Sequence, residues 1–168
     1  IESRLYAEDP YRNFLPSVGR LTRYRPPEEG RSGDIVIRND TGVTEGSEIS
    51  IFYDPMIAKL CTWAPTRAQA IDAMSDALDS FVVDGIQHNM PFLAALMRHP
   101  RWRSGDISTG FIAEEYPDGF EPIVPADADK AVLTAVATAV ELVRRDRLDR
   151  LSGRLAPHSG AMKTDWVV

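Results

Sequence analysis

The 168-residue chain has a single cysteine, Cys61, and only three histidines, His88, His99 and His158. A lone thiol cannot close a disulfide within the chain, so packing must hold the fold, and a reducing compartment suits it. The histidines are dispersed without ligand spacing, so no motif for a zinc-type centre is present and no metal ligand is assigned. Long hydrophobic runs are also missing. The most apolar stretch, 131–143, is interrupted by Thr134, Thr138 and Glu141 and is shorter than the ~20 residues that span a bilayer. No membrane association is expected, and no signal-peptide pattern opens the chain. Cations are outnumbered, 19 Lys and Arg against 25 Asp and Glu, and the arginines are scattered. The resulting net charge of -6 gives no general attraction to phosphate backbones, which argues against a nucleic-acid partner. Phosphate-loop, dinucleotide-turn, Cys-x-x-Cys and His-Glu-x-x-His motifs are all lacking, so no self-sufficient nucleotide or metal chemistry is visible.

What is present is the balance of a packed protein: 43% apolar and 26% charged residues, enough for an ordinary core. Ile1, Ser3, Leu5 and Ala7 alternate with Glu2, Arg4, Tyr6 and Glu8, the period of a half-buried strand, and Pro10 ends it. Further strands are expected over residues 20–24, 35–38, 49–53 and 56–63, separated by Pro- and Gly-rich turns, with a break at Pro55. This part should be an antiparallel sheet. The period then lengthens to about 3.6 at Thr66, with Gln69 three residues on as in a capping box. Ile71, Met74, Leu78 and Phe81 form the apolar stripe of a helix that Gly85 is expected to end. A second helix is predicted over 91–97, closed by Pro100, and a short third over 109–114. The stretch from Tyr116 to Pro125 reads as a linker. Beyond it Leu133, Val136, Val140 and Val143 share one face of a long helix, with Arg144 and Arg145 expected in its last turn, near the negative end of its dipole. Residues 150–168 look like the start of a β region. Cys61, inside an apolar stretch, is expected to be a small buried hydrophobe. The chain opens at Ile1 and closes at Val168 inside strand patterns, so both ends are expected to be cut points.

Three blocks in order carry a family resemblance. They are Glu2-Ser3-Arg4-Leu5-Tyr6-Ala7-Glu8-Asp9-Pro10, then Phe14-Leu15-Pro16-Ser17-Val18-Gly19-Arg20-Leu21, then Tyr53-Asp54-Pro55-Met56-Ile57-Ala58-Lys59-Leu60. Together they resemble the C-terminal domain of biotin carboxylases over residues 1–115. The stretch from Gly105 to Phe120 looks like the alpha subunits of propionyl-CoA carboxylases. Residues 126–168, after a 116–125 linker, resemble the opening of the transfer domain that joins those alpha subunits to their beta subunits. The resemblance implies an α+β fold: an antiparallel sheet with packed helices, followed by a long helix and the beginning of a β region.

It also implies a ligase, in which ATP activates bicarbonate and a ureido nitrogen of biotin is carboxylated. By match of the first block, Arg4 takes the place of the guanidinium that faces the developing charge on the ureido oxygen. Asp54, from the third block, is its companion in the biotin pocket. Without the resemblance these would be a surface-strand arginine and a turn aspartate before proline. Arg38 falls near a dimer contact of the family, or is an exposed strand arginine. The implied cofactors are biotin on a carrier domain outside this chain, and ATP and Mg bound by segments preceding Ile1, so the isolated chain is expected to be inactive. The implied partners are the rest of the biotin carboxylase domain, the biotin carrier domain and the carboxyltransferase beta subunit, in bacterial cytoplasm or the mitochondrial matrix. Ala161-Met162-Lys163 is similar to a biotin attachment site, but Thr164 follows where the family has methionine, so Lys163 is not assigned as the biotinylated residue. The alternatives are a non-catalytic interaction module derived from a biotin carboxylase, or the alpha subunit of another carboxylase, acting on methylcrotonyl-CoA or acetyl-CoA.

Overall fold

The computed structural model describes residues 1–50, 52, 54–122 and 124–151. The chain divides into two compact units, Ile1–Pro122 and Ile123–Val168.

The first unit opens with strands β1 (Glu2–Tyr6), β2 (Glu8–Asp9), β3 (Leu15–Pro16), β4 (Gly19–Arg20) and β5 (Arg23–Arg25). Next come β6 (Gly30–Ser32), β7 (Ile35–Thr41), β8 (Glu48–Ile49) and β9 (Met56–Trp63). The main sheet has the order β1-β9-β7-β6 and every pairing in it is antiparallel. As the alternation predicts, Ser3, Leu5 and Ala7 point inward and are buried. The register sets Ser3, Leu60 and Asn39 side by side on the inner face, and Arg4, Lys59 and Asp40 side by side on the outer one. The expected strand over 20–24 is divided between β4 and β5, which join different small sheets. Of the strand expected over 49–53, only Ile49 lies in β8, while residues 51 and 53 lie outside the described residues.

Helix α1 (Arg67–Ser80) starts on the predicted capping box: the Thr66 side chain accepts from the Gln69 amide, and Gln69 accepts from the Thr66 amide. Ala70, Ile71, Met74, Ala77 and Leu78 bury one face of it. The Thr62 hydroxyl of β9 donates to the Ala70 carbonyl at 2.8 Å, tying sheet to helix. The helix ends at Ser80, not at Gly85. Phe81 turns extended, and Val82 and Val83 enter strand β10 (Val82–Asp84), which pairs with β5. The gain of a ladder by β-branched residues outweighs continuation of the helix.

Helix α2 (Met90–Arg98) buries Met90, Phe92, Leu93, Leu96 and Met97. His99, before proline, is extended and stops it. Pro100 then opens an unanticipated short helix, α3 (Pro100–Ser104), because proline suits a first helical turn as well as a stop. The short helix expected over 109–114 is α4 (Phe111–Glu115). Past it, Tyr116 and Phe120 fold back onto Phe92, each with ring centroids 5.4 Å away, and Phe120 stacks on Tyr11.

In the second unit, α5 (Asp127–Leu151) runs past Arg144 and Arg145, so these lie inside the helix and Arg150 occupies its last turn. Arg150 and Leu151 are still helical, and the remainder of the expected β region, with His158 and Lys163, lies outside the described residues. The polar line of α5 satisfies itself. Thr134 and Thr138 donate to carbonyls one turn back, and Glu141 takes both Arg144 and Arg145. Within this unit no described element covers the stripe of Leu133, Val136, Val140 and Val143.

Candidate active-site face

The outer face of the main sheet follows from strand parity. Glu2, Arg4 and Tyr6 project from β1, Lys59, Cys61 and Trp63 from β9, and Arg38 and Asp40 from β7. Arg4 lies between two like-facing neighbours on its own strand. Its Nε donates to Glu2 Oε1 at 3.0 Å, while its side chain stays 59% exposed. Hydrogen bonding to Glu2, then to Tyr6, pushes the Arg4 pKa above the ordinary arginine value, so it is a permanent cation. The guanidinium is steered by Glu2 and Tyr6 from its own strand and is otherwise exposed to solvent.

Directly across the ladder is Lys59, a second cation on the same face. Its Nζ lies 3.4 Å from Asp40, which also holds Arg38 Nε at 3.0 Å. Burial pushes the Asp40 carboxyl up, but hydrogen bonding to Lys59 and the Arg38 charge outweigh it and keep the group below the usual carboxylate range. Arg38 is thereby bound to its own strand neighbour and lies 3.8 Å from Cys61 Sγ. Cys61 is not the buried hydrophobe expected from its apolar surroundings. It is half-buried on the outer face, since it shares parity with Lys59 and Trp63.

Asp54 sits two residues before β9. Its Oδ1 accepts from the Met56 amide at 2.9 Å, closing the turn around Pro55, whose carbonyl accepts from Ala7 at 2.8 Å. The carboxylate also acts on Glu8, whose pKa is pushed up first by burial and then by Asp54. Arg4 is engaged by Glu2 and Tyr6, and Asp54 by the β9 turn, so no direct ion pair joins the two predicted site residues among the described residues. Sequence reasoning had not singled out Glu2, Tyr6 or Lys59. The signal for Glu2 and Tyr6 is the alternation on either side of Arg4, and Lys59 belongs to the segment 53–60 that resembles the family.

The described histidines have structural surroundings. Burial pushes His88 below its usual pKa, and His99 Nε2 lies 3.1 Å from Glu115 on the same carboxylate that Arg101 engages. Among the described residues, no group of three or more His, Cys, Asp or Glu could hold a metal ion, and no helix is long and apolar enough to cross a membrane.

A model described as the biotin carboxylase C-terminal domain matches residues 2–114. The chain belongs to the biotin carboxylase C-terminal domain family. A second model, the propionyl-coenzyme A carboxylase BT domain, matches residues 133–168. The propionyl-CoA carboxylase alpha chain of Ruegeria pomeroyi is 57% identical over the whole of this chain, which spans 27% of that protein. The mitochondrial human alpha chain is 43% identical over 83% of this chain, corresponding to 19% of its own length. In structure, the biotin carboxylase domain of Hydrogenobacter thermophilus 2-oxoglutarate carboxylase matches with a TM-score of 0.64 at 36% identity, covering 73% of this chain and 26% of that one. Rhizobium etli pyruvate carboxylase matches with a TM-score of 0.65 at 36% identity, over 76% of this chain and 12% of that one. The expected α+β fold, an antiparallel sheet with packed helices, is similar to these biotin carboxylase structures, and the expected long helix is present as α5, while the remainder of the expected β region lies outside the described residues.

Proposed function

We propose that this chain is the C-terminal part of the biotin carboxylase domain of an acyl-CoA carboxylase alpha subunit, of the propionyl-CoA type, together with the opening of its BT domain. The observation that carries the reading is Arg4: a guanidinium on an exposed sheet face, with Nε held by Glu2, Tyr6 engaging it as a second partner, and the side chain still 59% exposed. Biotin, when bound, supplies the ureido nitrogen that takes up the carboxyl group. Arg4 would face the neighbouring ureido oxygen, where negative charge would develop on loss of the nitrogen's proton. A planar, pre-oriented donor pair is suited to stabilise it, where a lysine ammonium would offer only a point charge. The residues present therefore fit the group. Asp54, anchored by the Met56 amide at the end of the same sheet, is assigned to the rim of the biotin pocket.

ATP and magnesium are assigned to segments of the parent protein outside this chain, since no phosphate-cradling loop occurs in the sequence. The partners in this reading are the remainder of the biotin carboxylase domain, the biotin carrier domain and the carboxyltransferase beta subunit. The match of the BT model to residues 133–168 supports the last of these. In this reading the subunit works in bacterial cytoplasm or the mitochondrial matrix, an assignment that the bacterial source of one relative and the mitochondrial name of another support.

The test is a graft. Replacing the matching segment of the Ruegeria pomeroyi alpha chain with this chain should preserve bicarbonate-dependent ATP turnover and carboxylation of biotin. A folded, biotinylated chimaera without either activity would overturn the assignment.

A further inference from the structure

We propose that Asn89 is a positioning residue for Arg4, an inference that rests on the Arg4 reading above. Asn89 precedes α2, where asparagine ordinarily caps the helix with its side chain, yet it makes no such cap bond. Its side chain is directed at β1 instead. Nδ2 donates to the Arg4 carbonyl at 3.1 Å, Oδ1 accepts from the Tyr6 amide at 3.0 Å, and the Asn89 amide donates to the Tyr6 carbonyl at 3.1 Å. These are outward-facing backbone groups of an edge strand, whose other side pairs with β9. The amide thus stands where a peptide group of a further strand would stand, and it spans residues 4–6 at the β-bulge between Leu5 and Tyr6.

Asn89 is itself firmly placed. It is 6% exposed, and its neighbours Met90 and Phe92 are in the core. The backbone from which Arg4 projects is therefore clamped on both sides, by the β9 ladder and by a residue 85 positions away. Displacement of a catalytic group by ~1 Å can cost on the order of 10²-fold in rate, so this clamp should matter to chemistry as well as to stability.

Two variants separate the contributions. Asn89→Ala removes both side-chain bonds. Asn89→Asp keeps the shape and the acceptor for Tyr6 but sets an oxygen against the Arg4 carbonyl. In the present chain, hydrogen exchange of the Tyr6 amide should accelerate in Asn89→Ala and stay slow in Asn89→Asp, and equal protection in both would overturn the clamp. In the intact carboxylase that carries this segment, both variants should lower kcat for biotin carboxylation by about 10- to 100-fold, with KM for ATP unchanged. In an Arg4→Ala background neither should cause a further loss. Equal losses in both backgrounds would show a merely structural role and overturn this proposal alone. An Arg4→Ala variant with full activity would overturn the Arg4 reading and this proposal with it.

Discussion

Substitution of Gly85 by alanine probes the turn that delivers the Asn89 segment. Gly85 has φ +103, and a Cβ built there would lie 2.1 Å from the Arg20 carbonyl oxygen and 2.8 Å from the Thr22 nitrogen. Both obstacles are backbone, held in place by the Thr22 amide bond to the Asp84 carbonyl, so neither can swing aside as a side chain would. The positive φ costs a Cβ-bearing residue ~1–2 kcal/mol, and forcing the neighbouring strand away adds the ~1–3 kcal/mol typical of overpacking. Reduced freedom of the unfolded chain returns ~0.4–1 kcal/mol. A net destabilisation of ~2–4 kcal/mol is expected, a large part of the ~5–15 kcal/mol that holds a domain together. Gly119→Ala is the control: φ is +93 there, with nothing within 4 Å of the added Cβ, so only the conformational cost of ~1 kcal/mol should appear. Urea unfolding followed by circular dichroism measures both. Equal destabilisation by the two variants would refute the steric argument, and a Gly85→Ala variant within ~0.5 kcal/mol of the parent would refute the turn geometry itself.

Two other expectations concern the sheet-helix contact and α5. Thr62→Val keeps the shape but removes the hydroxyl that reaches the Ala70 carbonyl at 2.8 Å. That carbonyl retains its place in the α1 ladder, so only the net worth of one hydrogen bond, ~0.5–1.5 kcal/mol, should be lost in the same unfolding assay, and a neutral result would remove this bond as the tie between β9 and α1. Hydrogen bonds from Arg144 and Arg145 lower the Glu141 pKa from 4.5 to about 2. A folded value below the unfolded one stabilises the helix above about pH 4.5, and that contribution is lost as pH falls towards about 2. Protection of α5 amides should fall across that window and lose the dependence in Glu141→Gln, whereas an identical pH profile in the variant would exclude the carboxylate as its source.

Legibility of the fold tracked element length and locality. β1, β9 and α1 declare themselves through alternation, an apolar run and a capping box, each contained within its own segment. β4, β5, β8 and β10 are two or three residues long, too short to display a period, and their partners are distant: Val83 finds Tyr24. Pro100 signals a stop in the sequence, although the same ring geometry opens α3. The apolar run around Cys61 conceals which face each residue takes until register is known, and the pairing with Arg38 turns it outward. Arg4 was legible only because the block around it matches a family. Nothing local marks Asn89, since its partners lie 83 and 85 positions away.

The central claim is that the Arg4 guanidinium, not merely a positive charge, supports carboxylation of biotin, and a comparison of two variants tests it most directly. In the intact carboxylase carrying this segment, Arg4→Ala should lower the rate of biotin carboxylation by the ~10²- to 10³-fold typical of a lost oxyanion donor, and Arg4→Lys should restore little of it because the planar fork is gone. A lysine variant turning over near the parent rate would contradict the assignment of Arg4 to the ureido oxygen.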